Sequence, residues 1–355
     1  MNSGNDTVSI LAEQLDRLLG QEIDTKTLAA AEAGESVELA GKLDALGLPF
    51  AMVCEEAGGA GLGWAAIEDI FQTAGYHATP LPLCEHILAN GFLDRAGMTV
   101  PEAPALLAED SLKLEADGTV SGSCVVTGRG SSALVAEAVS AGAGRLCLLD
   151  ISLAAPSQLE TISRDPRVHL TFERTMPIAS SKQGIVPGSI LSGLAVARSA
   201  QIAGALSRIL EMSIDYGNTR VQFGRPIGKF QAVQHMIAEL AAEAAAAKAA
   251  VQLASRAMDV GKGWEAAAIA KVRASMAAGK GAMLAHEVHG AIGVTEEHML
   301  HYFTRRLWQW RDDAGSEHIW AERLGRAVLS AGGAAMWPGL VGLSAPSFGE
   351  LEGKA

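Results

Sequence analysis

Between residues 220 and 231 the chain reads Arg-Val-Gln-Phe-Gly-Arg-Pro-Ile-Gly-Lys-Phe-Gln, which gathers groups able to hold a dinucleotide. The planar guanidinium of Arg220 can fork onto a pyrophosphate. Phe223 can pack against an adenine face, and Gln231 can donate and accept on a ring or ribose edge. Gly224, Pro226 and Gly228 suit an interhelical turn. A plainer reading stands beside this one, in which Arg220 pairs with a carboxylate and Phe223 and Phe230 belong to a core.

A second string runs His286-Glu287-Val288-His289-Gly290-Ala291-Ile292-Gly293-Val294-Thr295-Glu296-Glu297-His298. Gly290 and Gly293 let backbone approach a ligand closely. His289 and His298 read as orienting groups, because isolated histidines are usually satisfied structural residues. Glu55 to Gly63 is dense in glycine and has the composition to cradle a phosphate. No Lys follows those glycines, so a helix–helix connection is the better reading. Trp264, Trp308 and Trp310 can wall a cavity, though Trp on a helix more often packs. Cys54, Cys84, Cys124 and Cys147 form no C-x-x-C pair, which argues for buried thiols and against zinc or redox chemistry; no metal site is expected.

The elements that must position these residues fall into three regions. Residues 1–95 read as helices, with Ile10, Leu11, Leu15, Leu18 and Leu19 at helical spacing. A second helical stretch runs from near Glu35 to Gly47, and a third from Trp64 to Ala74. Residues 96–187 change to a small β-domain, a barrel or sandwich. There Ser111–Glu115 alternates, Asp117-Gly118 signals a hairpin, and Val120–Thr127, Arg145–Ile151 and Arg167–Arg174 read as strands. Residues 188–335 return to helices, over 189–214, 231–259, 264–291 and 316–331, which predicts an up-down bundle. The alanine run Ala241–Ala250 favours helix and close helix–helix approach. Residues 336–355, with Pro338 and Pro346, read as a loosely held tail. The layout is α+β.

Composition narrows the function classes. A formal net charge of −12 over 355 residues argues against a nucleic-acid partner. No uninterrupted apolar run approaches the roughly 18 residues of a membrane span. The N-terminus has no basic stretch followed by an apolar one, so no signal peptide is expected and a cytoplasmic setting is the default.

With this helix–strand–helix order, the two strings resemble signature segments of the flavin-dependent acyl-CoA dehydrogenases. The first resembles that family's R-x-x-F-G-x-x-I-x-x-F-Q pattern, and the second its Q-I-H-G-G-I-G-F-T-x-E-H pattern. Glu55–Gly63 and residues 303–326 resemble two further segments, so the likeness spans about 40 to 335. It implies FAD as cofactor, an acyl-CoA thioester as substrate and electron-transfer flavoprotein as acceptor. Cofactor contacts would fall on Arg220, Gln222, Phe223, Gln231, Glu287, Val288, His289, Gly290, Ala291 and Ser316.

The family removes an α-proton with a carboxylate at one of two places. Here those places hold Ala314, before Gly315-Ser316, and Val260, in Asp259-Val260-Gly261. Asp313 and Asp259 are the candidate displaced bases, each one residue away. On a helix, one step turns a side chain by about 100°, which favours solvated or capping roles for both. Residues 101–118 lack the family's T-E-P…G-S-D stretch, and Glu287 and Ala291 stand where it has Gln and Gly. These departures resemble the shorter, degenerate subunit of bacterial hetero-oligomeric acyl-CoA dehydrogenases, which completes a partner's flavin site. The alternatives are a self-sufficient homotetramer using Asp313 or Asp259, and a non-catalytic scaffold that binds acyl-CoA or a partner. An oxidase or monooxygenase on the same fold is a further variant.

Overall fold

The computed structural model describes residues 3–35, 38–128, 130–261 and 263–343. By internal contacts the chain forms two units. One comprises the chain through Ile67 with Thr79–Leu194, and the other Glu68–Ala78 with the chain from Ala195 onward.

The first unit begins with α1 (Ser3–Glu22), α2 (Thr25–Glu32) and α3 (Leu39–Ala45). Leu15 and Leu19 of α1 are buried as their spacing predicts, whereas Ile10 lies outside the core at 53% exposure. Asp24 caps α2, its carboxylate accepting from the Thr27 N–H at 2.8 Å. Of the stretch expected from Glu35 to Gly47, residues 36 and 37 lie outside the described residues, and α3 accounts for the remainder. The glycine-dense loop before α4 (Trp64–Tyr76) is a tight connection. The N–H groups of Gly58, Gly59, Ala60, Gly61 and Leu62 donate to carbonyls of residues 50–55, so none is left to hold a phosphate. A further helix, α5 (Leu83–Arg95), precedes the strands.

The β region is one mixed sheet of β1 (Leu106–Leu107), β2 (Leu112–Leu114), β3 (Val120–Thr127), β4 (Ala133–Ser140), β5 (Ala143–Asp150), β6 (Ala155–Leu159), β7 (Arg167–Thr175) and β8 (Ala179–Ser180). The strand order is β6-β7-β3-β2-β4-β5-β8, with β1 added on β4. Both β1 and β2 run parallel to β4, and the remaining pairs are antiparallel. Among the described residues β6 and β8 remain edges, so the sheet is neither closed between them nor doubled into a sandwich. Asp117 fixes the predicted hairpin by accepting from the Thr119 N–H at 3.1 Å, with Gly118 at φ +85°.

The second unit contains α6 (Ser189–Thr219), the short strands β9 (Val221–Gln222) and β10 (Arg225–Pro226), then α7 (Gln231–Asp259) and α8 (Gly263–His289). These are followed by α9 (Leu300–Asp312), α10 (Glu317–Ala331) and α11 (Gly333–Gly342). Helix α6 is long and apolar enough to cross a membrane, but most of it is buried inside the protein. Alanines line α7 and α8 where the two pack: Ala244, Ala247, Ala254 and Ala257 on one, Ala266, Ala270, Ala274 and Ala277 on the other, all buried. Small side chains permit that close approach and add little entropy cost. The expected tail is corrected in part, because α11 continues through Pro338 to Gly342. The rest of that tail, 344–355, lies outside the described residues.

Candidate functional site

Helix α6 ends at Thr219, and the chain reverses through Phe223 and Gly224, with Arg225 paired to Gln222 and Pro226 to Val221. Both loop residues have positive φ, +52° and +79°, the φ pattern of a type I′ turn. Such turns favour Asn-Gly, and a bulky residue at the first position costs about 1–3 kcal/mol. Phe223 accepts that strain while standing 92% exposed. Its ring meets only the edge of Phe230, at 6.1 Å, and the Arg225 guanidinium lies 4.2 Å over Phe230.

The Arg220 backbone is tied down on both sides. Its N–H donates to the Tyr216 carbonyl and its carbonyl accepts from the Ile227 N–H, both at 2.8 Å. The Arg220 side chain is exposed and pairs with no carboxylate among the described residues. The plainer reading of this string therefore fails for Arg220 and Phe223. Gln222 and Gln231 are exposed as well. Between Asp215 and Glu239 the sequence carries Arg220, Arg225 and Lys229 and no acidic residue, a local cationic stretch on a chain of net charge −12.

At the end of α8 the second string divides into an outer and an inner set. Glu287, Gly290 and Ala291 are exposed, and Gly290 has φ +63°. Val288 and His289 are 5% and 3% exposed, so their side chains support the segment from within. The His289 ring stacks on Tyr216 at 4.7 Å and meets the edge of His298 at 4.9 Å. Its Nδ1 donates to the Ala285 carbonyl at 2.8 Å. Burial pushes the imidazoles of His286, His289 and His298 below their ordinary value, so all three are neutral at pH 7.

Asp313 is neither solvated nor free to act as a capping acid. Its carboxylate lies 3.2 Å from Arg198 Nε, with the two side chains 1% and 2% exposed, and accepts from Gln309 Nε2 at 2.8 Å. Arg198 also donates to Gln201 Oε1 at 2.7 Å. Ala314 follows at φ +53° and is 2% exposed, its carbonyl accepting from Trp320 Nε1 at 2.8 Å. A Cβ on Gly315 would lie 2.8 Å from that same Nε1, so only glycine fits there. Lys271, wholly buried, donates to the Trp310 and Arg311 carbonyls at 2.9 and 2.6 Å and closes off the end of α9. The turn at 312–316 is thus held from several sides. Ser316, half-buried, leads into α10. Asp259 ends α7 on an exposed surface, and Val260 is 62% exposed.

The tryptophans pack. Trp310 is buried, Trp308 stacks on His286 at 5.9 Å, and Trp264 lies under Arg323 at 4.7 Å. Sequence reasoning missed Glu68. It is buried on α4, within 2.5 Å of Gln72 Nε2. Burial, and then the charge of Asp69, push its carboxyl up to about 7 against the pull of Lys248, Ser255 and Gln72. An i, i+4 Glu-Gln pair on an apolar helix was the only signal available for it. Among the described residues no group of three metal-ligating side chains occurs.

A family model for the acyl-CoA dehydrogenase C-terminal domain matches residues 188–329. The chain is 32% identical over 266 residues to acyl-CoA dehydrogenase IpdE2 of Mycobacterium tuberculosis, covering 74% of this chain and 77% of that protein. The chain belongs to the acyl-CoA dehydrogenase family. The family comprises FAD-dependent oxidoreductases acting on CH–CH donors. Among solved structures, a variant of the Tcur3481–Tcur3483 steroid ACAD matches with a TM-score of 0.83 at 25% identity, over 94% of this chain and 100% of that one. The ChsE4–ChsE5 complex from Mycobacterium tuberculosis matches in fold, with a TM-score of 0.81 at 21% identity, over 90% and 96%.

The residues present fit part of an FAD site. The unpaired Arg220, the outward Phe223, Gln222 and Gln231 form an exposed face suited to a dinucleotide's phosphates and ring. Glu287 on the other string adds an exposed carboxylate, which a pyrophosphate would repel unless it is paired.

Proposed function

We propose that this chain is a subunit of a hetero-oligomeric acyl-CoA dehydrogenase, in which it completes a flavin site whose catalytic base belongs to another chain. One observation carries the reading. Phe223 is held 92% exposed in a strained turn beside an unpartnered Arg220, while the carboxylate nearest the family's base position is locked to Arg198. Strain of this kind persists where the surroundings over-determine it, and it clusters at ligand clamps. The hairpin has no use for an outward aromatic ring within its own unit.

FAD, when bound, accepts the β-hydride of the acyl thioester. The chain's own contribution is to bind and orient. Arg220, with Arg225 and Lys229 close in sequence, offers cationic contacts to phosphate, Phe223 a ring face, and Gln222 and Gln231 paired donors and acceptors. Among the buried groups at the base position, Ala314 has no proton to move and Asp313 is engaged in its ion pair. Asp259, exposed at a helix end, lacks the desolvation that a base for a weak carbon acid needs.

Two relatives support a two-chain assembly and a bulky substrate, since one is described as a steroid ACAD and the other as a ChsE4–ChsE5 complex. A steroid or similarly bulky acyl-CoA is therefore the substrate class proposed, in the cytoplasm, with electron-transfer flavoprotein as acceptor. The test is expression of the chain alone and together with a dehydrogenase chain that has a Glu at the base position. The proposal expects a colourless, inactive chain alone and a yellow, dye-reducing complex. A yellow chain that reduces dye on its own would favour the self-sufficient homotetramer instead.

A further inference from the structure

The two strings that the proposed function places at the flavin are joined through an aromatic cluster that no reading of either string alone contains. Tyr216 lies on α6, four residues before Arg220, and its carbonyl accepts from the Arg220 N–H. Its ring stacks on His289 at 4.7 Å and meets His298 edge-on at 6.4 Å, and His289 and His298 are 4.9 Å apart. Three rings thus close a triangle between the last turn of α6, the end of α8 and the turn that follows it. That turn, Gly290 to His298, is otherwise held by short-range bonds of its own, such as Thr295 N–H to the Ile292 carbonyl and His298 N–H to the Thr295 carbonyl.

We propose that Tyr216, His289 and His298 form an aromatic clasp that fixes the turn 290–298 against the end of α6, with His298 as its positioning residue. The inference rests on the proposed function for its consequence, namely that Arg220 and the exposed Gly290–Ala291 backbone are held in one register toward the same ligand. The clasp itself stands on the ring geometry.

The hydrogen bonds fix which nitrogens carry protons. His298 Nδ1 accepts from the Leu300 N–H at 3.2 Å, so the neutral ring holds its proton on Nε2. His289 donates from Nδ1 to the Ala285 carbonyl. The groups acting on the cluster are named by element: from α6, Tyr216 and the Met212 carbonyl; from α8, the Ala285 carbonyl and His286, itself bonded to Thr304 and stacked on Trp308 of α9; from the turn, His298 and the Leu300 N–H. No carboxylate is among the groups that shift these rings. A proton added to His298 Nδ1 therefore breaks its bond from Leu300 and sets a charge beside His289. Acid opens the clasp.

The test is amide hydrogen exchange over residues 290–298 in the full chain, for the native protein, His298→Ala and His298→Phe, at pH 7.5 and pH 5.5, with flavin retention measured on the co-expressed complex. Loss of an aromatic pair corresponds to roughly several-fold to tenfold faster local opening. We expect that increase in His298→Ala at both pH values. The native chain should gain it only at pH 5.5, and His298→Phe, which keeps a ring and cannot be charged, at neither. Exchange in His298→Ala equal to native at pH 7.5 would overturn the clasp. Faster exchange in His298→Ala with undiminished flavin in the complex would leave the clasp standing and overturn the flavin reading instead.

Discussion

Asp313 and Arg198 lie 115 positions apart in sequence and meet at 3.2 Å with both side chains withdrawn from solvent. The pair explains why an acid one residue from the family's base position does not serve as that base. A buried ion pair is strongly destabilised when one member is neutralised, because the other charge is left without compensation. Asp313→Asn should therefore lower stability by about 3–5 kcal/mol, read as a shift in the urea midpoint. A displaced base predicts the reverse pattern, with dye reduction lost and the midpoint unchanged.

Phe223 gives a prediction of opposite sign for stability and function. Asn tolerates the left-handed region that Phe223 occupies at φ +52°. Phe223→Asn should raise the unfolding free energy by about 1 kcal/mol. The same change should reduce flavin retention in the complex, since the exposed ring is lost. A stabilised variant with unaltered flavin content would remove the ring from the account.

Glu68 sets a slope in stability against pH. Its folded-state value, about 7, lies above the unfolded value of 4.5, so its contribution is fully present below 4.5 and is lost as pH rises through about 7. The amount is of the order of 2–3 kcal/mol. Glu68→Gln keeps an uncharged hydrogen-bonding group and should flatten this decline. Urea midpoints measured from pH 5 to pH 8 would show native and variant chains diverging as pH rises.

The histidines act in the other direction. His286, His289 and His298 all titrate lower in the folded chain because they are buried, so their contribution is present above the unfolded value near 6.5 and is lost as pH falls below it. Stability should therefore fall on acidification from pH 6.5 toward 5. Replacing His298 with Phe should reduce that loss, as followed by thermal melts across the range.

Much of the fold was legible because periodicity reports burial. Val120–Thr127 is β3 as read, and Arg167–Arg174 is β7 less one residue. By contrast β4, Ala133–Ser140, sits between β2 and β5 and went unread, since its alanines carry little strand preference. Helix α9 also escaped the periodic windows, because Arg305, Arg306 and Arg311 interrupt its apolar face; Arg306 is nevertheless buried, bonded to the Tyr302 carbonyl. Pro338 was read as a helix stop, yet α11 runs through it. At the candidate site, the string 220–231 announced its residue types, but neither the strain at Phe223 nor the exposure of Arg220 is written in residue order. The same holds for the Arg198–Asp313 pair and the ring triangle around His289, which depend on contacts between elements far apart in sequence.

The central claim is that the hairpin of this chain reaches a flavin shared with a second dehydrogenase chain. Its most direct test is Arg220→Ala in this chain alone, co-purified with an unaltered partner, with flavin per complex read from visible absorbance. The account predicts an intact complex that has lost most of its flavin and its dye reduction. An intact complex with full flavin content would contradict it.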